Sequence, residues 1–265
     1  MEKCRRPDVM IDQSVEILRN EKVAENTFLL AFASKEIAAE AEPGQFVMVQ
    51  VSEGLEHLLR RPFSVCAVEG KGVVILLYKR VGAGTGLLSD IGPGRRIRVL
   101  GPLGKGFKLP GPSMLPVLVT GGIGVAPMVF LARRIASRPF IWLAGYRTAS
   151  ETAPFSRLGV PVENISIATE DGSAGTECLV TELLEKHLDF ATEQSCVFSC
   201  GPAAMLKKVA ALVEKHRVPS QVSIEAAMAC GIGACQGCTV ASSSPGGGFR
   251  RVCVDGPVFD SFDID

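Results

Sequence analysis

Four cysteines near the end of the chain constrain its fold more than any other feature. Cys230, Cys235, Cys238 and Cys253 follow the spacing C-x4-C-x2-C-x14-C. Three closely spaced cysteines with a distant fourth match the plant-type pattern that holds a [2Fe–2S] cluster. Thiolates are the soft, anionic donors that such clusters take. Glycines between the cysteines would let the backbone curl around a cluster and direct N–H groups at its sulfur atoms.

A structural zinc site is the alternative for these four thiolates. Zinc sites usually pair their cysteines in two short knuckles, whereas this segment has one short pair, Cys235 and Cys238. The spacing therefore favours [2Fe–2S] over zinc. Cys200 belongs to a different motif, and the other cysteines are predicted to be small buried side chains. They are Cys4, Cys66, Cys178 and Cys196.

The chain divides into three segments by the rhythm of its apolar residues. Residues 1–110 contain six short apolar runs separated by Gly- and Pro-rich turns, which predict an antiparallel β-barrel or sandwich with a short helix at 87–91. Residues 111–218 alternate buried strands with helices, as in a doubly wound α/β domain. Residues 219–265 are predicted to form a small cluster domain, so the expected fold class is multi-domain.

A glycine-rich turn opens the second segment. Gly121, Gly122 and Gly124 follow the strand Pro116–Thr120 and precede a predicted helix from Pro127. Glycines in this position let a pyrophosphate approach the backbone, and the helix N-terminus offers free N–H groups. The acidic residue that marks NAD over NADP is missing at the end of the second strand, where Arg147 lies instead. The residues alone therefore leave NAD and NADP open.

A second strand-to-helix switch follows at Cys200, Gly201 and Pro202. Ligands bind at such switches in open α/β sheets, so we predict that these residues line the nicotinamide side of the same site. His57, His187 and His216 lack a nucleophile nearby in sequence and are interpreted as surface or core residues.

Composition excludes several classes of function. The chain has 28 basic and 28 acidic residues, so its net charge of zero argues against nucleic-acid binding or a polybasic membrane contact. The sequence lacks an apolar run of about 18 residues, so we expect no membrane span. The N-terminal residues do not resemble a secretory signal, and we therefore expect a cytoplasmic protein.

The motifs of the first two segments together resemble the ferredoxin–NADP reductase superfamily. The resemblance rests on the flavin motif Arg61-Pro62-Phe63-Ser64, on the loop Gly82–Gly86 and on the turn at 100–104. It also rests on three stretches that are similar to nucleotide motifs of that superfamily: 121–127, 169–173 and 200–202. It implies that Arg61 holds the FAD pyrophosphate and that Ser64 lies against the flavin ring. The same resemblance implies further FAD contacts from a second strand and from the loop. These residues are Pro62, Phe63, Tyr78, Lys79, Arg80, Gly84, Thr85 and Gly86.

The cluster segment narrows this resemblance. The stretches 228–238 and 252–259 are similar to the closing sequence of the electron-transfer subunits of bacterial type B dihydroorotate dehydrogenases. That family implies FAD, one [2Fe–2S] cluster, NAD(H) as co-substrate, and a partner subunit that carries FMN, assembled as two of each subunit. Electrons would run from dihydroorotate through the partner's FMN, the cluster and FAD to NAD+ in pyrimidine biosynthesis, with no catalytic residue here beyond the cofactors. Glu225 precedes the cluster segment and is expected near the flavin.

Two other functions share these cofactors. One is an NAD(P)H-dependent reductase for ferredoxin or another protein acceptor, and the other is a non-catalytic redox sensor. Cys230 favours the dihydroorotate family over the small subunit of NADH-dependent ferredoxin–NADP reductase, which resembles this architecture with an Asp as its first cluster ligand. A zinc-stabilised binding protein is the remaining alternative.

Overall fold

The protein is described here by a computed structural model that covers residues 10–52, 57–191, 193–243 and 247–264. Cys4, which the sequence predicts to be buried, lies outside these residues. Among the helices in the described ranges, none is long and apolar enough to cross a membrane.

Residues 11–103 form a closed, six-stranded antiparallel barrel with the strand order β1-β2-β5-β4-β3-β6. Alternate side chains fill its centre, which explains the alternating apolar pattern of the sequence. The strands are β1 (Ile11–Ala24), β2 (Thr27–Ala33), β3 (Phe46–Gln50), β4 (Arg61–Glu69), β5 (Val73–Lys79) and β6 (Arg96–Leu103). Two short helices, α1 (Lys35–Glu40) and α2 (Ala83–Asp90), lie between the strands.

The second segment forms a mostly parallel sheet with the order β10-β9-β8-β7-β11-β12-β15. Its strands are β7 (Leu115–Gly121), β8 (Ile141–Tyr146), β9 (Ile165–Thr169), β10 (Thr176–Glu177), β11 (Ser195–Cys200) and β12 (Ser220–Ser223). The antiparallel edge strand is β15 (Val258–Asp260). The helices are α3 (Val125–Arg134), α4 (Val180–Phe190) and α5 (Ala203–Lys215). Helix α3 packs in one hydrophobic cluster, while α4 and α5 pack in another. The predicted fold class is confirmed.

The cluster segment, residues 219–265, packs against both the barrel and the α/β sheet. Its hairpin consists of β13 (Thr239–Ala241) and β14 (Phe249–Arg251), while β15 returns to the large sheet beside β12. Cys238 and Cys253 belong to the same hydrophobic cluster as Phe46 and Met48 of the barrel. The predicted domain limits stay predictions. Strands β12 and β15, which lie near the two ends of 219–265, extend the α/β sheet.

Candidate functional site

A cavity of about 480 Å³ lies between the barrel, helix α3 and the segment that leads to the cluster cysteines. The flavin motif lies along it because β4 begins at Arg61 and pairs with β3, with Ser64 opposite Phe46. From the predicted FAD contacts, the cavity is lined by Arg61, Pro62, Phe63, Ser64, Tyr78, Lys79 and Thr85. The fold thus brings together residues that are up to 24 positions apart in the sequence.

Two arginines lie against the first turns of helix α2. A Cβ atom at Gly84 would be 2.9 Å from Nε of Arg61, and one at Gly86 would be 3.7 Å from Nε of Arg80. The two glycines therefore leave room for guanidinium groups beside a helix N-terminus, where free N–H groups and the helix dipole favour an anion. Arg80 and Gly86 face a neighbouring open cavity of about 570 Å³.

Thr85 stabilises the start of the same helix. Its hydroxyl accepts hydrogen bonds from the backbone N–H groups of Val81, at 2.9 Å, and Gly82, at 3.1 Å. This local cap offsets the weak helix propensity of a glycine-rich segment. It explains why α2 begins at Ala83, earlier than the predicted start at residue 87.

Tyr78 forms part of an aromatic wall of the first cavity. We call this cavity the flavin cavity because the predicted FAD contacts line it. The ring centroid of Tyr78 lies 5.6 Å from that of Phe28 and 5.4 Å from that of Phe63. The hydroxyl donates to Oδ1 of Asn20 at 3.0 Å. Burial raises the pKa of Tyr78 to about 12, so the phenol stays protonated and acts as a donor at neutral pH.

A second cavity, of about 750 Å³, opens at the carboxyl ends of the parallel strands. The two glycine turns meet there because their backbones are in close contact: a Cβ atom at Gly124 would lie 2.2 Å from the carbonyl oxygen of Cys200. From the predicted nucleotide contacts, this cavity is lined by Gly121, Gly122, Gly124, Gly201 and Pro202.

Cys200 differs from Gly201 and Pro202 because its side chain is buried in the core. Its side chain is 1% exposed and packs in the core cluster with Leu118 and Val125. Burial, together with the nearby carboxyl group of Glu225, raises the pKa of the Cys200 thiol. The structure therefore places the thiol within the core beneath the cavity, while the backbone of the same residue forms the close contact with Gly124.

The second cavity, which we call the nucleotide cavity because the predicted nucleotide contacts line it, also contains charged side chains outside the two glycine turns. Oε1 of Glu151 forms ion pairs with Nζ of Lys79 at 3.1 Å and with Nη2 of Arg147 at 2.8 Å. Burial alone would raise the pKa of Glu151, but these two bonds hold it below its ordinary value. Glu170 and Glu182 line the same cavity. Glu170 belongs to the stretch 169–173 that resembles a nucleotide motif. Glu151 and Glu182 come from other elements of the chain, so sequence spacing gave no signal for their proximity.

The two cavities share Lys79, Ile123 and Glu225. Glu225 lines both cavities and is exposed, and the surrounding protein raises the pKa of its carboxyl group by desolvation. The expectation that Glu225 lies near the flavin site agrees with this position, although its place between two cavities could not be read from the sequence.

The four cluster cysteines approach one another as two pairs. The amide of Cys235 donates to Sγ of Cys230 at 3.4 Å, and the amide of Cys253 donates to Sγ of Cys238 at 3.5 Å. The first pair is accessible, whereas Cys238 and Cys253 are 3% and 2% exposed. Two thiolates for each of two metal atoms is the arrangement that a [2Fe–2S] cluster needs.

Backbone amides also prepare these sulfur atoms for a metal. Ile232 and Cys235 donate to Sγ of Cys230, and Gly237 donates to Sγ of Cys235 at 3.5 Å. Partial burial opposes ionisation, but the amide donors lower the pKa of Cys230 to about 6. Burial and the adjacent Cys238 thiol raise the pKa of Cys253. The donor set thus fits the predicted cluster, although the described residues contain no group of three or more such ligands gathered for a single metal ion.

The cluster loop is fixed to the barrel at Gly231. This residue has a φ of +72°, and a Cβ atom there would lie 2.6 Å from Cγ of Met48. Met228, two residues before Cys230, lines the flavin cavity. The loop therefore lies directly beside the flavin site.

Comparison with known proteins agrees with this arrangement. The family model for the iron–sulfur cluster binding domain of dihydroorotate dehydrogenase B matches residues 225–265. The chain is 39% identical over 247 residues to the dihydroorotate dehydrogenase B (NAD(+)) electron transfer subunit of Desulforamulus reducens, covering 91% of this chain and 94% of that protein. It is 38% identical over 258 residues to the corresponding subunit of Geobacillus thermodenitrificans, covering 94% and 96%.

Solved structures show the same fold. An NADH-dependent reduced ferredoxin–NADP oxidoreductase superimposes with a TM-score of 0.82 and 28% identity, over 95% of this chain and 89% of that chain. Phthalate dioxygenase reductase has a TM-score of 0.63 with 19% identity, over 88% and 87%. The extent and identity of the sequence matches lead to one conclusion: the chain belongs to the family of dihydroorotate dehydrogenase B (NAD(+)) electron transfer subunits.

Proposed function

We propose that the chain is the electron-transfer subunit of an NAD-dependent dihydroorotate dehydrogenase and connects the FMN of a catalytic partner with NAD+. The observation that carries this proposal is the contact between three sites. The flavin cavity shares Lys79, Ile123 and Glu225 with the nucleotide cavity. It is also lined by Met228, which is two residues from the first cluster cysteine.

The barrel supplies the residues that would hold FAD. Arg61 and Arg80 would bind the pyrophosphate together with the N-terminus of α2, since guanidinium groups form charge-assisted bonds with phosphate oxygens. Phe63, Ser64 and Tyr78 would lie along the flavin ring. When bound, FAD supplies hydride exchange with a nicotinamide and single-electron exchange with an iron–sulfur cluster.

The second cavity would hold the nicotinamide nucleotide. Gly121, Gly122 and Gly124 would let the pyrophosphate approach the N-terminus of α3, and Gly201 and Pro202 would border the nicotinamide. The carboxylates of this cavity outnumber its basic residues, which supports NAD over NADP because an additional phosphate would meet a net negative charge. The acidic residues are Glu151, Glu170, Glu182, Glu185 and Glu225, and the basic residues are Lys79, Arg147 and Lys208.

The paired cysteines would hold the [2Fe–2S] cluster, with Cys230 and Cys235 on one iron and Cys238 and Cys253 on the other. Because the first pair is accessible and the second is buried, the first pair would be the side nearer to a docked partner. Removal of the dihydroorotate proton requires a base close to that substrate, and we assign this step to the FMN-bearing subunit. We further propose an assembly of two copies of each subunit; the cytoplasmic location stays a prediction.

The test is an anaerobic capture of the tagged chain from its own cells. We expect an FMN-bearing subunit to copurify, and we expect the eluate to reduce NAD+ with dihydroorotate but to reduce NADP+ far more slowly. Mass measurement of the eluted complex tests the stoichiometry. An eluate that carries flavin and iron–sulfur absorption but has no dihydroorotate-dependent activity would reject the proposal.

A reductase for ferredoxin or another protein acceptor is the second candidate, and the likeness to the NADH-dependent oxidoreductase at a TM-score of 0.82 favours it. Rapid NADH-dependent reduction of an added ferredoxin, without a copurifying FMN protein, would support this second function. Reduction of small dyes would not separate the two.

A further inference from the structure

The side chain of Asn20 connects two walls of the flavin site. Asn20 lies on β1, and its Nδ2 donates to the carbonyl oxygens of Leu88 at 2.7 Å and Ile91 at 2.9 Å. Its Oδ1 accepts from the hydroxyl of Tyr78 at 3.0 Å. Both amide protons are used on carbonyls, so the orientation of the amide is determined by its partners.

The two hydrogen bonds from Nδ2 of Asn20 fix the C-terminal end of helix α2. The last carbonyl groups of a helix lack the usual N–H partner four residues ahead. At this end of α2 the Leu88 carbonyl accepts from the N–H of the C-cap residue Ile91 as well as from Asn20, and the Ile91 carbonyl lies just beyond the helix. The backbone of Asn20 is held by the pairing of β1 with β2, where Asn20 lies opposite Leu30. The end of α2 is therefore tied to the barrel wall through one side chain.

The other end of α2 is the phosphate-binding end. Arg61 and Arg80 lie against Gly84 and Gly86 in its first turns. A helix of eight residues is about 12 Å long, so a shift at Leu88 is transmitted along the axis to the N–H groups at the start. Charge-assisted bonds depend steeply on geometry, so phosphate binding depends on where this short helix lies.

The third bond fixes the aromatic wall. Tyr78 is 1% exposed and its ring packs between Phe28 and Phe63. Tyr78 and Phe63 both line the flavin cavity. The same amide thus contacts the helix beside the phosphate site and the wall beside the ring site.

We propose that Asn20 is a positioning residue that sets the phosphate-binding helix α2 in register with the aromatic wall of the flavin cavity. This inference rests on the proposed binding of FAD in that cavity. It predicts that Asn20 matters for ligands that carry a pyrophosphate and matters much less for the flavin ring alone.

The experiment compares two flavins on deflavinated protein that retains its cluster. Dissociation constants for FAD and for riboflavin, which has the ring but no phosphate, are measured by quenching of flavin fluorescence. Asn20→Asp places a carboxylate against two carbonyl oxygens, and we expect it to weaken FAD binding about 10- to 100-fold. Riboflavin binding should change by less than about threefold. Asn20→Ala removes the bonds without adding charge and should act in the same direction.

Two further variants serve as controls. Tyr78→Phe breaks one of the three bonds and keeps the ring, so it should weaken FAD binding less than Asn20→Ala does. Asn164→Asp makes the same chemical change before β9, outside both cavities, and should leave both affinities unchanged. Iron content and circular dichroism establish that each variant is folded.

Equal weakening of FAD and riboflavin would overturn the inference, because a general loss of structure would affect both ligands alike. Wild-type FAD affinity in folded Asn20→Ala would overturn it as well. A wild-type protein that binds neither flavin would instead reject the proposed function, so the two failures are distinguishable.

Discussion

Glu225 occupies a position where a change of protonation has consequences for both cavities. The residue lines the flavin cavity and the nucleotide cavity, and desolvation by the surrounding protein raises the pKa of its carboxyl group. A carboxyl group with a raised pKa retains its proton in the folded state over a pH range in which the unfolded chain has lost it. In that range the folded protein binds more protons, so its stability falls as pH rises.

We therefore predict that Glu225→Gln increases the free energy of unfolding relative to the wild type, and that the difference grows as pH rises from the ordinary glutamate pKa of 4.5 through the raised pKa of Glu225. Glutamine cannot ionise, so the variant avoids the cost of placing a charge at this site. Chemical denaturation of the loaded protein across this range provides the measurement. Glu163→Gln, at an exposed position before β9, is the matched control for the loss of one carboxylate. A constant difference at all pH values would contradict the prediction.

Individual residues differ in how far sequence alone could identify them. Arg61, Ser64 and the four cysteines belong to local motifs, so their spacing gave a direct signal. Glu151 and Glu182 could not be found in this way, because their proximity depends on how separate elements pack around the second cavity. For Cys200 the sequence identified the motif but could not identify the environment of the thiol, because burial of this side chain depends on core packing.

Among the elements, strands and helices with a strong apolar period could be predicted closely. The apolar pattern at 165–169 predicts a strand over the same residues as β9, and the pattern at 203–216 predicts a helix one residue longer than α5. Helix α2 was predicted too short because two of its eight residues, Gly84 and Gly86, are glycine and its N-cap residue is Gly82. Its helical state depends on the Thr85 cap and on packing by Arg61, which local propensity does not include.

The cluster loop gives a prediction at this scale. In Gly231→Ala, the added methyl group would lie 2.6 Å from Cγ of Met48, at a φ of +72° that favours glycine. Such strain costs about 1–3 kcal/mol for a residue other than glycine, and the loop can relieve it by moving away from the barrel. We expect a lower iron content per chain and weaker visible absorption of the purified variant.

Gly237→Ala is the matched control within the same loop. A Cβ atom at this position would lie 3.7 Å from Sγ of Cys235, which is an ordinary contact, and alanine retains the N–H group that donates to this sulfur. Iron content should stay near the wild-type value. If both alanine variants lose iron equally, contact with the barrel is not what holds the loop.

At the scale of the whole molecule, function depends on how the three segments are joined. The strands β12 and β15 bracket the cluster segment and anchor it to the α/β sheet, while Met48 and Leu103 of the barrel contact its loop at Gly231. The segment between β12 and Cys230 therefore forms a wall of the flavin cavity and carries a cluster ligand at its end. The sequence predicted the order of the segments, but these contacts depend on tertiary packing between residues far apart in the chain.

This arrangement predicts that removal of iron weakens the binding of FAD. Ile224, Ala226 and Met228 line the flavin cavity, and their position depends on a loop that four metal–thiolate bonds would hold in place. Extraction of iron with a chelator under anaerobic conditions should therefore raise the dissociation constant for FAD, about tenfold if one or two cavity contacts are lost. Flavin fluorescence during extraction measures the release, and anaerobic reconstitution with iron and sulfide should restore binding. Retention of FAD with unchanged affinity after complete iron loss would show that the flavin wall is held by the barrel and sheet alone.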